Sequence, residues 1–309
     1  MNLNPSTQIN LFGHKKIFND LLKLYKNDKL PNKILLSGEK GIGKSTLAYH
    51  LINFVLSQDE EQKYDYENNI INSENKSFKL IQNKSNPNFN LIDVVEDKKN
   101  IDINQIRELI INLNKSSFNK KKRFVLIDNI ELLNINSINA LLKILEEPNE
   151  NIIFILIHNN KRVLSTLKSR CLNFKVFLTK DQSIGIINQI LNDDIYNLIN
   201  DELIDNYVTP GKLYKLIKLS EEYSLNFASL NLNETLKTIF RDKIYKKDKS
   251  IVETVYSFIE LYFRNNISIK NINLLQSYHY FLKKINNTRI YNLDEETLFM
   301  EFEDKVLNG

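Results

Sequence analysis

Apolar residues Ile17, Leu21, Leu24 and Tyr25 recur at the spacing of one helical face and predict an amphipathic helix over 15–26, followed by the breaker Pro31. A short apolar run over 33–37 predicts a strand, which feeds a glycine-rich loop and a helix over 44–56. Residues 57–90 lose this pattern. They are polar, rich in Asn, Lys and Glu, and are expected to form an irregular, partly disordered surface insertion that folding can do without. Pattern returns with a strand over 91–95 and a helix carrying Ile103, Ile106, Leu109, Ile110 and Leu113 on one stripe. A strand over 123–127 ends on Asp128, a helix over 137–147 is stopped by Pro148, and a fourth strand over 151–157 leads to a short helix before Ser169-Arg170-Cys171. Short apolar runs alternating with helices predict βαβ units and a mainly parallel sheet.

Beyond residue 178 the alternation stops and the chain reads as helical. Thr179 and Gln182 have the spacing of a capping box. One stripe joins Ile251, Val252, Val255, Phe258, Ile259 and Tyr262, and another joins Leu274, Leu275, Tyr278, Phe281, Leu282 and Ile285. Asn292 and Glu295 are placed to cap a last helix. The expected fold class is α/β followed by an all-helical region, without an internal repeat.

Composition narrows the classes. The 309 residues suffice for one large domain or two to three modest ones. A net charge of +4 is far from the excess of a dedicated DNA-binding module. The single cysteine, Cys171, excludes an internal disulfide and a multi-cysteine zinc site. No apolar run approaches the roughly 18 residues of a membrane span. The first residues do not read as a signal peptide, so a reducing intracellular compartment is expected. The abundance of Asn, Lys and Ile reads as coding bias and carries no functional weight.

The sharpest chemical signal is Gly38-Glu39-Lys40-Gly41-Ile42-Gly43-Lys44-Ser45, with Thr46 behind it, a full phosphate-loop pattern between a strand and a helix. Its glycines let backbone N–H groups face phosphate oxygens, and the helix N-terminus adds positive potential. Lys44 would reach the β- and γ-phosphates, and Ser45 would ligand Mg²⁺. Asp128, at the end of an apolar strand, is the candidate second Mg²⁺-directing group. Its neighbour Asn129 is an amide and cannot take a proton from water at neutral pH. Glu131 is expected on a solvated surface. Nucleotide binding is therefore expected and turnover is in doubt. Arg170 has the residue type of an arginine finger, although on the tripeptide alone a surface salt-bridging arginine is the better reading. Lys120-Lys121-Lys122-Arg123 could touch a phosphate backbone but reads better as a solvated loop, and His14, His50, His158 and His279 lack metal-ligand spacing.

Taken together, Leu11-Phe12-Gly13-His14, Leu30-Pro31, Asn86-Pro87, the run Asn139 to Pro148, Ser169-Arg170-Cys171 and Thr209-Pro210-Gly211-Lys212-Leu213 resemble the clamp-loader branch of the AAA+ ATPases. The resemblance covers most of 11–215. It implies a RecA-like P-loop AAA+ domain with a parallel sheet over 1–175, a small helical lid over 176–219 and an all-α collar over 220–309. It further implies a hetero-pentamer with motor (gamma/tau) and delta subunits. Such an assembly loads a sliding clamp at primer–template DNA in the bacterial cytoplasm, without contact to a membrane. Within the branch the chain is closest to the rigid stator. Arg170 would then act in trans at a neighbour's ATP site, while Lys44, Ser45 and Asp128 would hold this subunit's own Mg²⁺-ATP, with His158 at the sensor position.

Departures from the motors sharpen that expectation. Motors carry Asp-Glu where this chain has Asp128-Asn129, and a four-cysteine zinc module where residues 57–90 have no cysteine, so no zinc is expected. Gly211-Lys212 displaces the basic residue of the lid by one place. The chain's end is read as leaving no extension for a polymerase or helicase. A gamma/tau-like hydrolysing motor and a small-molecule P-loop kinase are the alternatives.

Overall fold

The computed structural model describes residues 3–95, 98–115, 119, 121–146, 151–159, 165–205, 207–267 and 272–308. Two compact units emerge: Met1–Ile186 with Thr209–Gly211, and Ile187–Val208 with Lys212–Gly309.

The first unit is built on five parallel strands, β1 (Lys33–Ser37), β2 (Phe89–Ile92), β3 (Arg123–Ile127), β4 (Ile152–His158) and β5 (Leu172–Lys175), in the spatial order β2-β3-β4-β1-β5. Side chains alternate across a strand, and that alternation divides the core. Ile34, Leu36, Phe124, Leu126, Ile153, Ile155 and Ile157 face one layer with helices α1 (Lys15–Lys26), α2 (Lys44–Leu56) and α3 (Lys76–Gln82). Leu35, Val125, Ile127, Ile152, Phe154 and Leu156 face the other with α4 (Ile103–Asn114), α5 (Ile135–Glu146) and the short α6 (Ser165–Lys168). A sheet buried on both faces explains why its central strands read as unbroken apolar runs. The expected α/β class and parallel sheet, with α1 and α2 at their expected bounds, are what the structure has.

Four readings of this unit need correction. Residues 57–90 are not a surface insertion: Tyr64, Ile71, Phe78 and Ile81 enter the core, and Asn75 caps α3 by accepting from Phe78 N at 2.8 Å. Four isolated apolar residues and a seven-residue helix set no period that a pattern reading detects. β2 spans 89–92 rather than 91–95, ending where the Asp93 side chain accepts from Val94 N at 2.7 Å. β5 is absent from the expected elements: Leu172-Asn173-Phe174-Lys175 does alternate, but the run is only four residues long and lies largely exposed at the sheet edge. It is held by pairing with β1 and by Ser37 Oγ donating to Asn173 Oδ1 at 2.7 Å. α5 begins two residues early, with Asn134 Oδ1 accepting from Ser137 N at 2.8 Å. The expected stop at Pro148, with Glu147, lies outside the described residues.

α7 (Lys180–Leu191) opens on the expected capping box, with Thr179 and Gln182 bonded reciprocally at 3.0 and 3.2 Å. The second unit is helical: α8 (Pro210–Tyr223), α9 (Leu232–Arg241), α10 (Ile244–Lys247), α11 (Lys249–Asn266), α12 (Ile272–Tyr291) and α13 (Glu295–Phe302). Its core is strongly aromatic, with Phe240 stacked on Phe299 and Phe263, Phe281 and Phe302 packed edge to face or tilted. The α11 stripe is buried apart from half-buried Tyr262, whereas α12 buries Phe281 and Ile285 and leaves Leu275 exposed. α13 is capped by Asp294, which accepts from Thr297 N at 3.1 Å, and not by Asn292, which has a left-handed backbone with φ 49. Among the described residues no helix is long and apolar enough to cross a membrane.

Candidate nucleotide site

Open α/β sheets bind ligands beyond the carboxyl ends of their strands. There the structure gathers the loop after β1, Asp93 after β2, Asp128 after β3 and Asn159 after β4. Gly41 and Gly43 have φ +86 and +91, a conformation that other residues rarely adopt. Gly38 is required for a different reason, since a Cβ there would meet the Val176 carbonyl at 2.1 Å.

Three consecutive loop carbonyls are pinned from outside. Thr209 Oγ1 donates to Lys40 O at 3.0 Å, Gly211 N to Gly41 O at 2.9 Å and His14 Nε2 to Ile42 O at 2.5 Å. In a trans peptide the N–H points opposite to its carbonyl, so this clamping turns the N–H groups of 41, 42 and 43 to the other side of the loop. An inward row of N–H groups before the N-terminus of α2 is an anion cradle. Burial lowers the His14 pKa, the Lys44 charge lowers it further and the bond to Ile42 opposes them, so the ring is held as a neutral donor.

Lys44 is 3% exposed and donates to Gly38 O at 2.9 Å and Glu39 O at 2.6 Å. Burial lowers its pKa to about 8 against the charges of Asp128, Glu131 and Glu39, which leaves the ammonium protonated at neutral pH. Ser45 Oγ donates to Asp128 Oδ2 at 2.5 Å. Burial raises the Asp128 pKa, the Ser45 bond opposes that rise and Asp93 adds to it, so this carboxylate gains from a cation beside it. A hydroxyl and a carboxylate in contact beside a phosphate cradle are a donor set for Mg²⁺, which relies on one or two protein oxygens plus substrate phosphates. The residues therefore fit a Mg²⁺-nucleoside polyphosphate. Thr46 sits half-buried in the first turn of α2.

Asn129, at φ 55, has both ends of its side chain engaged. Nδ2 donates to Asp93 Oδ1 at 2.8 Å, and Oδ1 accepts from Asn159 Nδ2 at 2.8 Å. Glu131 is half-buried and not solvated as expected: its carboxylate accepts from Asn159 Nδ2 at 2.9 Å and from Asn159 N at 3.3 Å. Asn159 thus ties the two positions together. Sequence reading missed it, although a polar residue directly after a buried strand was its available signal. His158 is buried at the end of β4, pairs in register with Ser37, and its carbonyl accepts from Gly38 N at 3.2 Å.

Arg170 stands apart from this network. Its guanidinium binds the Glu146 carboxylate through Nε at 3.0 Å and through Nη2, and Nη1 donates to Thr166 O at 2.9 Å. The basic run has structural partners. Arg123 donates to the α4 C-terminal carbonyls of Asn112 and Leu113 at 2.7 and 3.0 Å, and Lys121 donates to Leu56 O at the end of α2 at 3.1 Å. Lys120 lies outside the described residues. His50 is fully buried against Tyr64, and His279 is exposed on α12. Among the described residues no three His, Cys, Asp or Glu side chains cluster as a metal site.

A sequence model of the family described as "DNA polymerase III, delta subunit" matches residues 13–179, more than half of the chain. The chain is 24% identical over 283 residues to a DNA polymerase III subunit delta' from Buchnera aphidicola (Schizaphis graminum), covering 88% of this chain and 84% of that one. A delta' subunit from Pseudomonas aeruginosa is 33% identical over 138 residues, 44% of this chain and 40% of that one. A gamma subunit from the same Buchnera is 26% identical over 239 residues, 76% of this chain and 63% of that relative. With a phosphate loop on a five-stranded parallel sheet, an amide after the strand-ending aspartate and a helical C-terminal region, the chain belongs to the DNA polymerase III delta-subunit family, in its delta prime clamp-loader branch.

Proposed function

We propose that this chain is the stator of a clamp loader. It binds Mg²⁺-ATP weakly, hydrolyses it slowly or not at all, and lends Arg170 to the ATP site of an adjacent motor subunit. Its partners are gamma/tau-type motors and a delta-type subunit in a hetero-pentamer that loads a sliding clamp onto primer–template DNA in the cytoplasm. Residues 176–219 serve as the lid, residues 220–309 as the collar, and no zinc is used.

The observation that carries this reading is the state of position 129. Bound ATP with Mg²⁺ supplies an electrophilic γ-phosphorus, and hydrolysis then needs a group to orient and deprotonate water. The Asn129 amide is not a base, and its oxygen and nitrogen are already bonded to Asn159 and Asp93. Lys44, Ser45 and Asp128 are equipped to hold phosphate and cation without turning them over. Arg170 bonds none of these groups and keeps two N–H donors beyond those given to Glu146 and Thr166, which suits service to another subunit. The motor reading is favoured by the complete set of phosphate-loop side chains.

ATP turnover by the chain alone, and then with motor and delta subunits, clamp and primed DNA, decides between them. Negligible turnover alone with an Arg170-dependent rate in the mixture is expected, with Arg170→Ala slowing the neighbouring site by roughly 10³–10⁵. Robust turnover by the isolated chain would overturn the stator reading.

A further inference from the structure

We propose that Glu146 is a positioning residue for Arg170, a role that rests on the trans-acting reading of that arginine. Arg170 follows α6 in a turn, with its N–H donating to Leu167 O at 3.3 Å. A long side chain at such a place samples many rotamers, and a finger must be aimed before a neighbour's phosphate arrives. Here the aim is set from two sides. Nε and Nη2 both donate to Glu146 Oε1, which fixes one edge of the planar guanidinium, and Nη1 donates to Thr166 O at 2.9 Å. Of the five N–H donors of the guanidinium, one on each Nη remains for an anion.

Both anchors adjoin buried residues. Glu146 ends α5 directly after Leu145, which is 0% exposed, and Thr166 precedes Leu167, which is 1% exposed in the same core layer. The ion pair itself lies near the surface, with side chains 33% and 55% exposed. Such pairs add little stability. Its effect is therefore on orientation, and Gln at 146, which keeps the acceptor oxygen, should serve nearly as well as Glu.

The test uses the assembled loader, with clamp and primed DNA, and reads kcat and KM for ATP. Glu146→Ala is expected to lower the Arg170-dependent part of kcat about ten-fold with KM within about two-fold, and Glu146→Gln to restore it to within about two-fold. Glu146→Ala combined with Arg170→Ala should be no slower than Arg170→Ala alone. In the free chain, without nucleotide, the slowly exchanging Arg170 Nε–H resonance should be lost in Glu146→Ala while the melting temperature is unchanged. If Arg170→Ala leaves turnover intact, the trans reading itself fails. If Arg170→Ala slows turnover but Glu146→Ala does not, or adds to it independently, the positioning role fails. A faster Glu146→Ala loader would make the pair a restraint and overturn the proposal.

Discussion

Lys44 resolves its charge by folding back on its own loop. Its ammonium is desolvated and satisfied by two carbonyls, so a nucleotide phosphate need only replace those partners. Lys44→Ala should abolish nucleotide binding measured by calorimetry, with the fold retained by circular dichroism. Because the free-state pKa is about 8, affinity for ATP should hold below that pH and fall as pH rises through it and the ammonium is lost. His50 behaves oppositely. It is fully buried, with Tyr64 Oη 2.8 Å from Nδ1, and burial pushes its pKa down to about 4. The unfolded chain takes up this proton near pH 6.5 and the folded chain does not. Its neutral form is therefore costless above pH 6.5, and stability falls between pH 6.5 and 4 by about 3 kcal/mol. Thermal melts across that range should show the slope, and His50→Phe should flatten it.

At the scale of elements, residues 57–90 supply side chains to the core. Phe78 is 5% exposed beneath α3, and Asn53 Nδ2 donates to the capping Asn75 at 3.1 Å. Phe78→Ala should cost about 3–5 kcal/mol in urea unfolding, and Asn75→Ala about 1–2 kcal/mol. Removing 57–90 should leave no soluble protein, the reverse of what its composition suggests. α1 and α4 were legible because each repeats an apolar stripe over three turns, and α2 because it follows the phosphate loop as a near-continuous apolar run. α3 and β5 were not: one is too short to show a period, and the other is an exposed edge whose identity comes from pairing with β1. Bonding of the basic run's donors to helix-end carbonyls was equally invisible, because it depends on where α2 and α4 stop.

At the scale of the molecule, the nucleotide site joins segments far apart in the chain, with Thr209 bonded to Lys40 across 169 residues. Thr209→Val should keep the fold and weaken ATP binding about five-fold, the ~1 kcal/mol of one hydrogen bond. Gly211→Ala should weaken it further, since its Cβ would stand 2.7 Å from Gly41 Cα. Calorimetric titration with ATP checks both. What the sequence by itself determined is the chemistry that is contiguous: the phosphate loop between strand and helix, Asp128 closing an apolar strand, the α/β pattern and the helical second half. Periodicity and local spacing are properties of neighbouring residues, so they survive in a linear reading. Only the tertiary structure decided which groups answer one another across the sheet. His14, Thr209 and Gly211 pin the loop carbonyls, Asn159 joins Asn129 to Glu131, and Glu146 holds Arg170. Those pairs are fixed by strand order and by the need of buried polar groups for partners, which no local window of sequence contains.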